Sequence, residues 1–115
     1  IMFASGKIAY ELAAERAKQE RNDVAIVRVE QLYPLSEQDI TDAIADYPAD
    51  ARLVWVQEEP ENNGAWPHIV FTFRAQFAGR PVDIVARPMV ASPAPGSNAA
   101  HQIEQRRVIE QAFEQ

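Results

Sequence analysis

Four short apolar runs divide this chain into a repeating plan. They are "IMFA", "VAIVRV", "RLVWVQ" and "VDIVAR", at residues 1–4, 24–29, 52–57 and 82–87. The second is apolar except at one arginine and mostly β-branched, as a strand buried on both faces would be. Between the runs, apolar residues recur at helical spacing. Ile8 and Leu12 do so through "KIAYELAAERAKQ", with Tyr10, Ala14 and Ala17. Ile40, Ala43, Ile44 and Tyr47 follow the second run, and Ile69, Val70, Phe73 and Phe77 follow the third. Strands that alternate with helices need right-handed crossovers, which lay helices over both faces of a mostly parallel sheet. The expected order is βαβαβαβ, then a loop, then a last helix with Ile103, Ile109, Ala112 and Phe113 facing inward.

Punctuation residues sharpen the boundaries. Ser5 can cap the first helix through its hydroxyl, and Ser36 with Asp39 three positions on resembles a capping box. Pro48 stops the second helix, Gly79 terminates the third, and Pro88 closes the fourth strand. Pro93 and Pro95 forbid regular pairing in "ASPAPGSN". Ser97 or Asn98 then caps the final helix.

A chain of 115 residues can bury one real core, and it shows neither repeats nor an internal boundary. One domain over 1–115 is therefore expected. The net charge of -6 argues against nucleic acid and anionic membrane, which favour basic patches. With no cysteine, disulfides, thiolate catalysis and thiolate metal sites are excluded, and a reducing compartment fits. No apolar run approaches the ~18 residues of a membrane span. The chain opens directly on "IMFAS", inside an apolar run, which is the expectation for a piece of a longer protein.

Ligands of open α/β sheets bind beyond the carboxyl ends of the strands. Three stretches lie there: "SGK", "EQLYP" and "QEEPENNGAW". Glu58 and Glu59 are adjacent, so in extended chain they point to opposite faces and make a poor acid/base pair. Glu59 precedes Pro60 and is biased to extended backbone. Asn62, Asn63 and Gly64 suit a turn, and Pro67 suits the first turn of a helix. The stretch reads as a loop with a charged helix entry. Trp66 beside that turn is costly to expose and points to an interface or ligand loop.

"SGK" before a helix is a plausible anion site, where helix-start N–H groups and the Lys7 ammonium converge. It is no P-loop, since Ile8 stands where serine or threonine would bind magnesium. Arg28 interrupts an apolar run and needs a partner. That partner is either Glu58 or Glu30 in an internal ion pair, or an anion shared with Lys7. His68 and His101 fall on different helices, which gives no zinc site. His101 reads as a surface or interface histidine. No nucleophile elbow and no dinucleotide fingerprint occur.

Taken together, "SGKIAYEL", "VAIVRVEQLYPL", "VWVQEEPENNGAW", "GRP" and "ASPAPGSNAAHQIEQ" resemble the C-terminal domain of the thiamine-diphosphate-dependent 2-oxoglutarate dehydrogenase component. The resemblance covers nearly the whole chain. One departure is "GRPVDIVARPMVAS", where the family has a shorter "GRPxSAS". The resemblance implies a transketolase C-terminal-like α/β sandwich of about five strands. It implies a parent enzyme that oxidatively decarboxylates 2-oxoglutarate and passes the succinyl group to lipoamide on the dihydrolipoyl succinyltransferase core. That enzyme would be a homodimer in the bacterial cytoplasm or the mitochondrial matrix. It further implies an AMP or acetyl-CoA effector site, for which Ser5, Lys7 and Arg28 are the candidates, and contact roles for Glu58, Glu59, Asn62, Trp66 and His101. Thiamine diphosphate and magnesium would be held by other domains, because the Gly-Asp-Gly motif they need is missing here. No catalytic residue is carried over. The alternatives are the same domain of a transketolase or pyruvate dehydrogenase relative, a stand-alone nucleotide-sensing module, or a purely structural assembly domain.

Overall fold

The computed structural model describes residues 1–32, 35–88 and 98–115. In chain order the elements are β1 (Met2–Ala4), α1 (Lys7–Gln19), β2 (Ile26–Arg28), α2 (Glu37–Ile44) and β3 (Leu53–Pro60). They continue with α3 (Trp66–Phe73), β4 (Gln76–Phe77), β5 (Arg80–Arg87) and α4 (Asn98–Phe113). The strands form one five-stranded sheet in the order β2-β1-β3-β5-β4. The first four are mutually parallel, and only β4 runs antiparallel to its neighbour. The α/β class with a mostly parallel sheet of about five strands is the one expected.

Side-chain alternation along β3 divides the core. Leu53 and Trp55 point to one face with Phe3, Ile40, Ile44, Trp66, Ile69, Phe77 and Val82. Val54 and Val56 point to the other with Met2, Ile8, Leu12, Val85, Val108, Ile109 and Phe113. Helices α2 and α3 therefore cover one face, and α1 and α4 the other. Period-two strands between period-3.6 helices produce this three-layer plan directly. Phe77 ties the α3 side together, edge-on to Phe3 at 4.9 Å and to Phe73 at 5.6 Å.

Several boundaries differ from expectation. "VAIVRV" yields a three-residue edge strand, half-buried and then exposed, rather than one buried on both faces. An edge strand pairs on one side only, so its outer side meets solvent. The third helix stops at Phe73 because Arg74 and Ala75 take left-handed φ of 56° and 54°. Phe77 is thus a strand residue, and Gly79 (φ 74°) turns β4 into β5 instead of ending a helix. Gly6, with no side-chain cap, precedes α1, so Ser5 does not cap it. Ser36 does cap α2, accepting from the Asp39 N–H at 3.1 Å. Tyr10, Tyr47, Val70 and Ile103, expected on apolar faces, are exposed, and so are Ala14 and Ala17. Tyr33 and Pro34 of the "EQLYP" stretch, Pro93 and Pro95 of the expected loop, and a cap at Ser97 lie outside the described residues.

Candidate functional site

The carboxyl ends of the strands gather three polar groupings. The first is the stretch after Val56. Strand β3 continues through Gln57, Glu58, Glu59 and Pro60, with a shift in its pairing to β5 between Val56 and Pro60. The glutamates are therefore strand residues, not loop residues. Glu58 is half-buried and Glu59 exposed, as alternation demands. Neither meets Arg28 among the described interactions.

What shapes the turn is Gln57, 3% exposed. Its Oε1 accepts the Trp55 indole N–H at 3.0 Å and the Trp66 backbone N–H at 3.0 Å. Its Nε2 donates to the carbonyls of Asn63 (2.8 Å) and Pro60 (2.9 Å), with Glu59 O at 3.3 Å. One carboxamide thus closes residues 57–66 and takes a free N–H at the start of α3. Gly64 completes the turn at φ 66°, where a Cβ would stand 2.8 Å from Glu59 Oε2. Trp66 is buried in the chain's own core at 8% exposure, so it offers no partner surface. Asn62 is exposed at the tip, and Pro67 occupies the first turn of α3.

The second grouping is the start of α1. Ser5 follows β1, and Arg28 lies beside Ala4 in the parallel register, so both stand at the same edge of the sheet. Arg28 donates to Tyr10 Oη at 2.7 Å, stacks 4.4 Å from that ring, and pairs with Glu30 at 2.6 Å. Of the two carboxylates expected to pair with it, only Glu30 does, and the pair is solvent-exposed because β2 is an edge. Lys7, 78% exposed, lies 3.7 Å from Glu11 on the next turn.

The third grouping joins α1 and α4 at the end of β5. Arg87 is 8% exposed. Its Nη2 contacts His101 Nδ1 at 2.8 Å and Gln105 Oε1 at 3.5 Å, and its Nε lies 3.6 Å from Glu104. Gln105 in turn donates to the Glu11 carboxylate at 3.3 Å. His101 is therefore half-buried against Arg87 rather than free on the surface.

One turn further along the same helices, Glu15 is buried and receives Arg106 Nη1 at 2.6 Å and Gln19 Nε2 at 2.5 Å. The Arg106 bond, and then the Gln19 bond, hold its carboxyl down to about 2 from 4.5. A depressed carboxyl stabilises the fold above its unfolded value, and that contribution is lost as pH falls toward 2. Urea midpoints should thus fall between pH 5 and pH 2.5. Glu15→Gln should flatten that slope, and an unchanged slope would refute the assignment.

Sequence reasoning missed Gln57, Arg87 and Gln105. A glutamine or arginine at a strand end, or a glutamine among the polar residues of a helix, reads as a surface residue until its partners are seen.

Among the described residues no three His, Asp or Glu side chains stand close enough to hold a cation. No helix among them is long and apolar enough to cross a membrane.

A three-layer α/β domain, with its polar groups gathered at the carboxyl edge of a mostly parallel sheet, is the class of protein defined here. A family model described as 2-oxoglutarate dehydrogenase C-terminal matches residues 1–113, and the chain belongs to that family. It is 40% identical over 115 residues to the multifunctional 2-oxoglutarate metabolism enzyme of Mycolicibacterium vanbaalenii, covering 98% of this chain and 9% of that one. The protein of that name from Mycobacterium sp. strain KMS is also 40% identical, with the same coverage. The 2-oxoglutarate dehydrogenase E1 component of Cupriavidus necator is 36% identical over 114 residues, covering 98% of this chain and 12% of that one. The chain thus spans about a tenth of the length of these curated relatives.

Proposed function

We propose that this chain is the C-terminal assembly and regulatory domain of a 2-oxoglutarate dehydrogenase. The parent enzyme decarboxylates 2-oxoglutarate oxidatively and succinylates lipoamide, using thiamine diphosphate and magnesium held by its other domains. The observation that carries this is the family match over residues 1–113, together with relatives about ten times longer that are named for 2-oxoglutarate chemistry. In this reading the enzyme is a homodimer that works with the dihydrolipoyl succinyltransferase core, in the bacterial cytoplasm or the mitochondrial matrix. Glu58 and Glu59 at the end of β3, with Asn62 in the turn that follows, belong to a contact region with a neighbouring subunit. The isolated domain turns over no substrate.

Ser5, Lys7 and Arg28 form the effector end of the domain, for AMP or acetyl-CoA. In support, Ser5 and Lys7 flank the start of a 13-residue helix at the carboxyl end of β1, where N–H groups and the dipole favour anions. Arg28 is 46% exposed at the same edge. An anionic ligand would have to take the place of Glu11 on Lys7 and Glu30 on Arg28.

Calorimetric titration of the full-length enzyme with AMP and with acetyl-CoA tests the site. The Lys7→Ala, Arg28→Ala double variant should bind the active ligand about tenfold or more weakly, from loss of two charge-assisted contacts. Binding left intact in that variant sinks the site. Turnover of 2-oxoglutarate by the 115-residue chain with added cofactor would sink the domain reading.

A further inference from the structure

We propose a second oxyanion subsite, built on Arg87, in the cleft between β5 and α4. It does not depend on the effector reading of Lys7 and Arg28. The cleft encloses about 330 Å³ and is lined by Glu61, Arg87, Pro88, Glu104, Arg107 and Gln111 among others. It lies at the carboxyl end of β5, the side of an open α/β sheet where ligands collect.

Arg87 is the observation that points to an anion. Its side chain is 9% exposed, and its Nε is buried with no hydrogen-bond acceptor. Its two closer partners, His101 and Gln105, are not anionic. To accept from the guanidinium, the histidine nitrogen at 2.8 Å must present a lone pair to it. A buried guanidinium needs an anion with good geometry, or its desolvation goes uncompensated. The anion in place is Glu104, whose carboxylate stands 3.6 Å from Nε and is 39% exposed. That is too far for a hydrogen bond. The pair neutralises charge while leaving one directional N–H unused.

A carboxylate or phosphate group entering the cleft can take the place of the Glu104 carboxylate. It accepts from Nε and an Nη in the bidentate fork that guanidinium favours. Arg107, on α4, also lines the cleft and supplies a second positive charge. Glu61 and Glu104 oppose it and keep the site selective for a ligand that can offer two oxygens to Arg87. The ligand class is therefore a compact oxyanion, either inorganic phosphate, a phosphoryl group or a carboxylate.

The test uses the full-length protein, titrated separately with inorganic phosphate and with acetate at constant ionic strength. Glu104→Gln keeps the shape of the wall and removes the competing carboxylate, so binding should tighten about threefold or more. Arg87→Met should weaken it about tenfold or more. Tightening toward phosphate but not acetate assigns a phosphoryl ligand, and the reverse assigns a carboxylate. Because Glu104→Gln predicts a gain, a misfolded variant cannot imitate the expected result. Selenate soaked into crystals of the unaltered protein should give an anomalous peak within hydrogen-bonding distance of the Arg87 guanidinium. No peak there, or affinities that Glu104→Gln leaves unchanged for both anions, would overturn the proposal.

Discussion

Gln57→Leu should lower the stability of this domain by about 4 kcal/mol, measured by urea denaturation of the 115-residue chain. Leucine fills nearly the same volume, so the loss isolates the carboxamide. Without it, the indole N–H of Trp55 and the backbone N–H of Trp66 are orphaned in a buried setting. Each such group costs roughly 1–3 kcal/mol. The carbonyls of Pro60 and Asn63 also lose a donor, but they lie nearer solvent, and Pro60 O keeps the Asn63 N–H at 2.9 Å. The two buried donors therefore dominate. Gln57→Glu separates the two ends of the side chain. It keeps an acceptor for the tryptophans but turns a carboxylate oxygen toward three carbonyls. Its deficit should be large at pH 7 and shrink as the pH falls and the new carboxyl protonates, since only the neutral acid can donate. A Gln57→Leu loss below about 1 kcal/mol would mean that water reaches these groups.

Trp66 shows why this turn was only half legible. A tryptophan after Asn-Asn-Gly reads as exposed, because its neighbours are turn residues. Its burial depends on Gln57 drawing the start of α3 back under the sheet, a contact nine residues apart. The turn itself, with Gly64 and Pro67, was readable because those residues act through their own backbone. The same divide runs through the fold. Strands β1, β3 and β5 were readable from their apolar runs, and Ser36 from its position three residues before Asp39. The edge position of β2 was not, since an apolar run is the same whether one neighbour or two will pair with it. Phe77 kept helical phase with Ile69, Val70 and Phe73, and nothing in Arg74 or Ala75 announces a left-handed φ. At the candidate sites, Lys7 and Arg28 were visible as charges in unusual places. Arg87 was not, because its meaning comes from His101, Glu104 and Gln105, which α4 returns to it from 14 to 18 residues away.

Trp55→Ala should cost about 4 kcal/mol, a large part of the roughly 5–15 kcal/mol that holds a domain folded. Trp55 is 1% exposed on the central strand, paired in register with Phe3 of β1 on one side and Ile84 of β5 on the other. Its ring fills the space between the sheet and the α2–α3 layer, and the paired strands flanking β3 limit how far the sheet can close into a cavity there. Trp55→Phe leaves most of that volume filled and removes only the indole N–H. It should cost about 1 kcal/mol for the hydrogen bond, plus a smaller packing term. The Gln57 oxygen keeps the Trp66 N–H in that variant, so no buried acceptor is stranded. The two predictions then constrain each other. In the Trp55→Phe background there is no indole N–H left to orphan, so Gln57→Leu should cost about 1 kcal/mol less than it does in the unaltered chain. Strict additivity across that cycle would show that the indole bond contributes nothing, and a Trp55→Ala loss under about 2 kcal/mol would show that the layers close around the missing ring.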